Sequence, residues 1–417
     1  MENRKPKLFY GWVIVLAAFG IMAVFGGTTY SFGVFFQPLL NEFGWTRAMT
    51  SGAFSLYMVF HGFLYIVTGR LTDRFGPRLV MTICGLFMGL GYLLMSRVET
   101  IWQLYLFYGV IIGIGMSGGF VPLVSTVARW FTKRRGMITG IAASSIGLGT
   151  MIMPPLAGWL ISTYGWRFSY IVIGIIVLVV TVTAAQFLKR DPGEMGLLPY
   201  GADKANADNL NSAEGGFSFG EAIHTGQFWV LCVAFLGFGF CLQTIMVHVV
   251  SYAMGLGISA PSAASILAAI GATTIIGKPV MGTAGDRIGN KPAIMISLVL
   301  MSAALLWLLP SREMWMFYLF AAFFGFAYGG ISAMMSPVIA DLFGLRSHGV
   351  IFGVVTFSAT MGGAIGPFVA GHIFDVTSSY NSAIITCIVV SFVAWMVTLL
   401  LRPTNSRGDT NDQGRST

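Results

Sequence analysis

Gly69-Arg70-Leu71-Thr72-Asp73-Arg74-Phe75-Gly76-Pro77-Arg78 ends one apolar run, and Gly282-Thr283-Ala284-Gly285-Asp286-Arg287-Ile288-Gly289-Asn290-Lys291 ends another. Both read Gly-x-x-x-Asp-Arg-x-Gly, and they lie 213 residues apart (282 − 69). The same shift carries Gly136 to Gly349, Gly140 to Gly353, Pro154 to Pro367 and Gly158 to Gly371. Single coincidences are cheap in a glycine-rich chain; one ungapped register through several helices is not. The chain therefore reads as two halves built alike. In each copy the glycines allow a tight turn, and Asp73 or Asp286 is placed to cap a neighbouring helix or pair with basic residues. With Arg74 and Arg287 beside them, the two turns read as gating latches.

The composition says what the halves are made of. Of 417 residues, 56% are hydrophobic and only 10% charged, whereas a soluble domain carries roughly 25% charged residues. Apolar stretches of bilayer-spanning length, about 20 residues, recur at approximately 9–36, 48–69, 78–97, 101–127, 136–162, 167–188, 227–253, 260–283, 291–310, 313–338, 347–373 and 380–402. Lipid offers the backbone no partner, so each must be a helix. The expectation is an all-α membrane protein of twelve transmembrane helices in two pseudo-symmetric six-helix bundles, 1–188 and 227–402. The polar segment 189–226 between them reads as a flexible linker, and 403–417 as a disordered tail. Parallel repeats of this kind are a transporter architecture, with the substrate site near mid-membrane between the halves.

Of the 24 Lys and Arg residues, nineteen fall on one side of these spans, from Arg4 to Arg415. Only Arg47, Arg97, Arg167 and Arg312 fall on the other, and Lys278 lies within a span. The positive-inside rule then places both termini and the linker in the cytoplasm, in the cell membrane. The charge of +8 is a topology signal, and a nucleic-acid partner need not be invoked. The basic start, with no small-residue cleavage site after it, reads as retained. Cys84, Cys232, Cys241 and Cys387 sit in apolar runs without metal spacing and read as packing residues.

The first Gly-x-x-x-Asp-Arg-x-Gly turn resembles the loop signature of the Major Facilitator Superfamily, and the second is a looser copy. Phe9-Tyr10-Gly11-Trp12-Val13-Ile14-Val15 and Arg129-Trp130-Phe131-Thr132-Lys133-Arg134-Arg135-Gly136-Met137-Ile138-Thr139-Gly140 resemble the two motifs of its monocarboxylate transporter family. Oxalate/formate exchangers share much of that pattern. The resemblance implies a carboxylate carrier in which helix 8 bears an arginine with an aspartate four residues earlier. Those positions hold Lys278 and Thr274 here, so the cation survives and the acid does not. A helix 1 lysine of animal members falls on Tyr30.

All sixteen acidic residues lie in loops, tails or helix ends. Lys278 is the one cation at depth, and an ionisable group there costs at least about 2.5–3.5 kcal/mol. It precedes Asp286 by eight residues, about 12 Å of helix rise, which is deep for snorkelling. At 4 Å and an effective dielectric of 20 a lysine–carboxylate pair is worth about 4 kcal/mol, enough to offset that cost. Lys278 therefore reads as an anion anchor. As a lysine it can also exchange a proton with substrate, which an arginine in its place could not.

His248 is a candidate for hydrogen-bonding substrate or carrying a proton, with a structural histidine as the alternative; His61 reads as packing. Tyr30, Phe120, Ser144, Gln243, Tyr328, Phe357 and Thr360 sit in helices that line the cavity of this fold, with Phe120 and Phe357 as an apolar wall. Pro279 either opens helix 8 or kinks it for packing. The function expected is proton-coupled secondary transport of small monocarboxylates such as lactate or pyruvate, without cofactor, metal or protein partner. An oxalate/formate-type anion exchanger and a non-transporting membrane sensor are the alternatives. No nucleotide loop or nucleophile–base arrangement suggests an enzyme.

Overall fold

The structure, a computed structural model, describes residues 9–131, 135–201, 216–344 and 346–402. The expected disordered tail, residues 202–215 of the expected linker and the basic start lie outside these residues. The described chain is almost wholly helical. Its spanning helices are α1 (Gly11–Phe43), α2 (Arg47–Phe75), α3 (Pro77–Met95), α4 (Ile101–Trp130), α5 (Arg135–Tyr164), α6 (Trp166–Phe187), α7 (Gly226–Gly255), α8 (Ala260–Ile288), α9 (Asn290–Leu308), α10 (Met314–Phe343), α11 (His348–Thr377) and α12 (Asn381–Leu399). Eleven are long and apolar enough on their own to cross a bilayer, and α2 is so as a helix bent by 42° between Tyr65 and Val67.

The 213-residue shift holds to the residue over four consecutive helices. It carries Arg47–Phe75 onto Ala260–Ile288, Pro77–Met95 onto Asn290–Leu308, Ile101–Trp130 onto Met314–Phe343, and Arg135–Tyr164 onto His348–Thr377. Local chemistry explains the shared ends. Gly76 (φ 81°, ψ 159°) and Gly289 (φ 93°, ψ 151°) close α2 and α8 in the same backbone conformation, one that disfavours side chains. Contacts repeat as well. A Cβ on Gly149 of α5 would strike the Ala23 carbonyl of α1, and one on Gly362 of α11 would strike the Leu236 carbonyl of α7, the same contact 213 residues on. Glycine is what lets these backbones approach so closely.

Helix α4 departs from its counterpart. It passes through a π-helical stretch, Tyr105–Ile112, and breaks between Met116 and Val121, where Phe120 leaves helical geometry (φ −127°, ψ −69°). Pro122 follows at once; it lacks an N–H and crowds the carbonyl of residue 118. The α10 counterpart is unbroken. The span expected at about 101–127 is present, and the break within it is a local feature that the sequence reading did not anticipate.

The side chains that follow the spans locate two faces. Arg47, Arg97, Arg167 and Arg312 lie at one end of the bundle, here the outer end; Arg74, Arg129, Arg287 and Arg346 lie at the other, the basic end. At the basic end the two motif segments meet in one aromatic cluster. Phe9 touches Trp130, Phe131 and Tyr200 at ring separations of 5.9, 5.7 and 5.7 Å, and the Trp130 indole donates to the Lys189 carbonyl (3.1 Å). The cluster pins the chain after α6 to the first bundle. Phe217 does the same for the second bundle, its N–H donating to the Phe343 carbonyl (2.8 Å).

Candidate functional site

Lys278 is held by α8, and α8 is held tightly by α10. A Cβ on Gly329 would sit 2.9 Å from the Lys278 backbone nitrogen, so glycine there brings α10 against this turn. One turn earlier, the Thr274 hydroxyl donates to the Ile270 carbonyl (2.8 Å) and, in α10, to the Gly325 carbonyl (3.0 Å). Thr274 is thus a buried staple between helices. Half-buried Lys278 crosses to the other bundle and donates through Nζ to the Ala143 carbonyl of α5 (3.1 Å). No carboxylate pairs with it among the described residues. The ammonium therefore rests on a neutral acceptor, which a carboxylate would replace with a charge-assisted bond.

The bundles also meet through Tyr30 of α1 and Tyr328 of α10, whose hydroxyls lie 3.0 Å apart and whose rings sit edge to face. Phe238 of α7 backs Tyr328, with ring centroids 6.1 Å apart. On α11, Thr360 presses on Gly62 of α2, while Phe357 next to it is 37% exposed. Gln243 lies against Gly363, and its buried Oε1 has no partner among the described residues. Ser144 is spent locally, donating to the Ile141 carbonyl (2.7 Å). The structure thus gathers Tyr30 with Tyr328, Ser144 beside the Lys278 contact, and Phe357 with Thr360, all between the bundles. Phe120 stands apart, half-buried at the break in α4.

His248 belongs to the outer end. Its Nε2 lies 2.9 Å from the Pro367 carbonyl and must donate there; Nδ1 then accepts from the Tyr380 hydroxyl (3.0 Å). Both nitrogens are committed, and the Phe36 ring packs against the imidazole at 4.9 Å. Tyr380 in turn accepts from Arg47 (2.8 Å), whose guanidinium lies 4.0 Å over the Phe374 ring. Asp375 of α11 accepts from the backbone N–H groups of Arg47 and Ala48 (2.9 and 2.8 Å), capping α2 from the opposite bundle. Sequence reasoning missed Arg47, Tyr380 and Asp375 as a unit. They lie up to 333 residues apart, and nothing local ties them together.

At the basic end Asp73 pairs with Arg129 of α4, and Arg74 lies 5.1 Å over the Phe75 ring. In the second half Asp286 and Arg287 are exposed without a partner among the described residues; instead Asn290 donates to Asp341 of α10 (2.7 Å). Among those residues, no hydrogen bond joins the bundles on the basic side of Lys278, whereas Ser55 to the Ala364 carbonyl (2.5 Å) and the Asp375 cap join them toward the outer end. Among the described residues, these bonds latch the bundles at the outer end and leave them without such a latch at the basic end.

The signature of the Major Facilitator Superfamily matches residues 16–274 and 255–416. The chain belongs to that superfamily. It is a multi-pass membrane transporter of the Major Facilitator type, as the repeat implied. It is 28% identical over 395 residues to monocarboxylate transporter 4 of Rattus norvegicus, covering 91% of this chain and 80% of that one. It is 26% identical to monocarboxylate transporter 13 of Bos taurus (92% and 87% covered) and 26% identical to the oxalate:formate antiporter of Oxalobacter formigenes (95% and 92% covered). The resemblance read from the two motifs is borne out by these relatives. Among solved structures, an inward-facing, unoccupied bacterial homolog of the human lysosomal transporter Spinster superposes with a TM-score of 0.75 at 17% identity, covering 95% of this chain and 97% of that one. That likeness shows the fold.

Proposed function

We propose that this Major Facilitator protein carries small monocarboxylates of the lactate or pyruvate kind, coupled to a proton, by alternating access across the cell membrane with both termini in the cytoplasm. The observation that carries the reading is Lys278, a half-buried cation between the bundles whose ammonium rests on the Ala143 carbonyl. An unpaired ammonium at this depth costs a few kcal/mol. A bound carboxylate offsets about that much, and the occupied site is then free to rock between faces. Tyr30 and Tyr328 offer hydroxyls to the carboxylate, and the exposed Phe357 ring offers an apolar surface to a short alkyl group. His248, Ser144, Gln243 and Thr360 complete the proposed lining, with His248 acting at its outer limit, while Phe120, expected in the wall, is assigned to packing at the break in α4.

An exchanger is the second reading, supported by Thr274 standing where a helix 8 acid would. If no proton accompanies the anion, the carrier turns over only by trading one anion for another, which is exchange. Uptake of labelled lactate, pyruvate, oxalate and formate into proteoliposomes, with and without an imposed pH gradient, separates the two. Symport predicts gradient-driven accumulation of monocarboxylates. Exchange predicts uptake only against internal anion. Uptake of none of the four overturns the reading.

A further inference from the structure

Two histidines lie deep within spanning helices, and the structure treats them oppositely. His248 has both ring nitrogens occupied by protein groups. His61 of α2 is also buried, 6% exposed, yet among the described residues its Nδ1 makes no well-formed hydrogen bond, and the only hydrogen-bonding group acting on the ring is the Tyr57 backbone of its own helix. A buried polar atom left unsatisfied is costly, so its presence calls for an explanation, a chemical role being one. The surroundings of His61 suit one use in particular. Its ring stacks on Tyr57 (centroids 5.1 Å apart, planes at 25°) and meets the Tyr65 ring edge to face at 4.9 Å. The Tyr57 hydroxyl bonds Thr29 of α1 (2.8 Å). Tyr57, His61 and Tyr65 thus form a ladder at four-residue spacing along one face of α2. It runs from the latched outer side towards the basic end, where Tyr65 is half-buried.

The repeat places this ladder opposite the anion anchor. The 213-residue shift that superposes the limits of α2 and α8 carries His61 onto Thr274 and Tyr65 onto Lys278. Next to His61, Gly62 packs on Thr360 of α11, at the contact between the bundles. We propose that His61 is the proton-carrying residue of the transport cycle, the counterpart in the first bundle of the anion site in the second; this rests on the monocarboxylate reading above.

The titratable groups around His61 are tyrosines: Tyr57 and Tyr65 on its own helix, Tyr30 of α1 within electrostatic range of both, Tyr108 of α4 against Tyr57 at 5.4 Å, and Tyr328 of α10 behind Tyr30. From α11 come Thr360 and Phe357, neither titratable. No charged side chain acts on it from these elements among the described residues. The proton adds to the free ring nitrogen, giving an imidazolium over the Tyr57 face, and leaves from the same nitrogen on the other side of the membrane. The anion enters with the proton, so the charge of the cargo cancels. One carboxylate and one proton add no net charge to the carrier, so the loaded form crosses without moving charge.

The test measures protons taken up per carboxylate bound, using a pH-indicator dye and labelled pyruvate on the purified full-length protein. The wild type should take up about one proton per pyruvate. His61→Gln should take up none and lose accumulation driven by a pH gradient, whereas Lys278→Arg should retain proton uptake with whatever pyruvate it binds. His61→Asn serves if the glutamine variant does not fold. Normal proton uptake per bound pyruvate in either His61 variant overturns the proposal. So does a wild type that binds pyruvate with no proton. A wild type that binds none of lactate, pyruvate, oxalate and formate overturns instead the reading on which the proposal rests.

Discussion

The interface of α2 with α11 and that of α5 with α8 are counterparts under the repeat, yet they close the outer end by different means. The first is polar: Asp375 caps α2, Arg47 reaches Tyr380, and Ser55 donates to the Ala364 carbonyl. The second is built from small residues, with Gly271 against Gly147 and Gly158 against Ala264. The counterparts of Arg47 and Asp375 are Ala260 and Ser162, which cannot form that lock. The comparison teaches that duplication kept what the backbone demands, namely helix limits, turn glycines and close contacts. Side chains at the bundle interface were left free to diverge, and function sits in that divergence. Tyr65 faces its counterpart Lys278 in role, Tyr30 faces Gln243, and Ser144 faces Phe357.

The largest expected effect breaks the comparison at its most unequal pair. Lys278→Gln should abolish carboxylate binding and transport while the protein still inserts, since loss of the charge lowers the insertion cost by a few kcal/mol. Tyr65→Phe, at the counterpart position, should leave anion binding within a few-fold. Labelled-substrate binding on both purified variants checks the pair. Ordinary affinity in Lys278→Gln would end the anchor.

The polar lock comes next. Asp375→Asn should weaken the bonds to the α2 N-terminus, where bonds to charged groups are worth about 1.5–3 kcal/mol. That shifts the balance between outward-open and inward-open forms about tenfold to a hundredfold toward outward-open. Distances between spin labels across the outer end would report it. An unchanged distance distribution would mean that the small-residue interface alone sets the equilibrium.

Much of this was legible in the sequence, because hydropathy and the 213-residue register report backbone demands that every conformation must meet. Twelve spans and two bundles follow from those demands. The break in α4 was missed because Gly118, Gly119 and Pro122 are individually tolerated in spanning helices, and only their combination opens the helix. Asp375 looked like an end-of-helix acid, since its partner lies 328 residues away. His61 and His248 look alike as letters. Only the packing distinguishes a ring with both nitrogens engaged from one whose Nδ1 makes no well-formed hydrogen bond among the described residues.

The basic-end turns give a smaller effect that sharpens the comparison. Asp73 is paired with Arg129, whereas Asp286 is unpaired among the described residues. The pair is substantially exposed, so it contributes at most about 1 kcal/mol. Asp73→Asn should therefore lower the thermal stability of this arrangement slightly, and Asp286→Asn less still. Equal shifts for the two would mean that the latch acts alike in both halves, with Asp286 finding its partner in the other conformation.

The smallest expected effect concerns the apolar wall. Phe357 is 37% exposed towards the space beside Gly62 and Thr360, and its counterpart on α5 is the small Ser144. Its ring is thus the bulkier of two related surfaces, placed to meet a short alkyl group. Each methylene-sized contact with such a surface is worth about 0.8 kcal/mol, so removing the ring should cost a three-carbon acid several-fold in affinity. Formate has no alkyl group and should bind as before. Phe120→Ala, at the break in α4, should instead weaken the packing that holds that bend and lower stability, with less change in substrate preference. Competition of lactate, pyruvate and formate against labelled pyruvate, in both variants, checks the contrast. If Phe357→Ala weakens all three acids equally, the ring serves packing, and selectivity among carboxylates must come from the polar groups around Lys278.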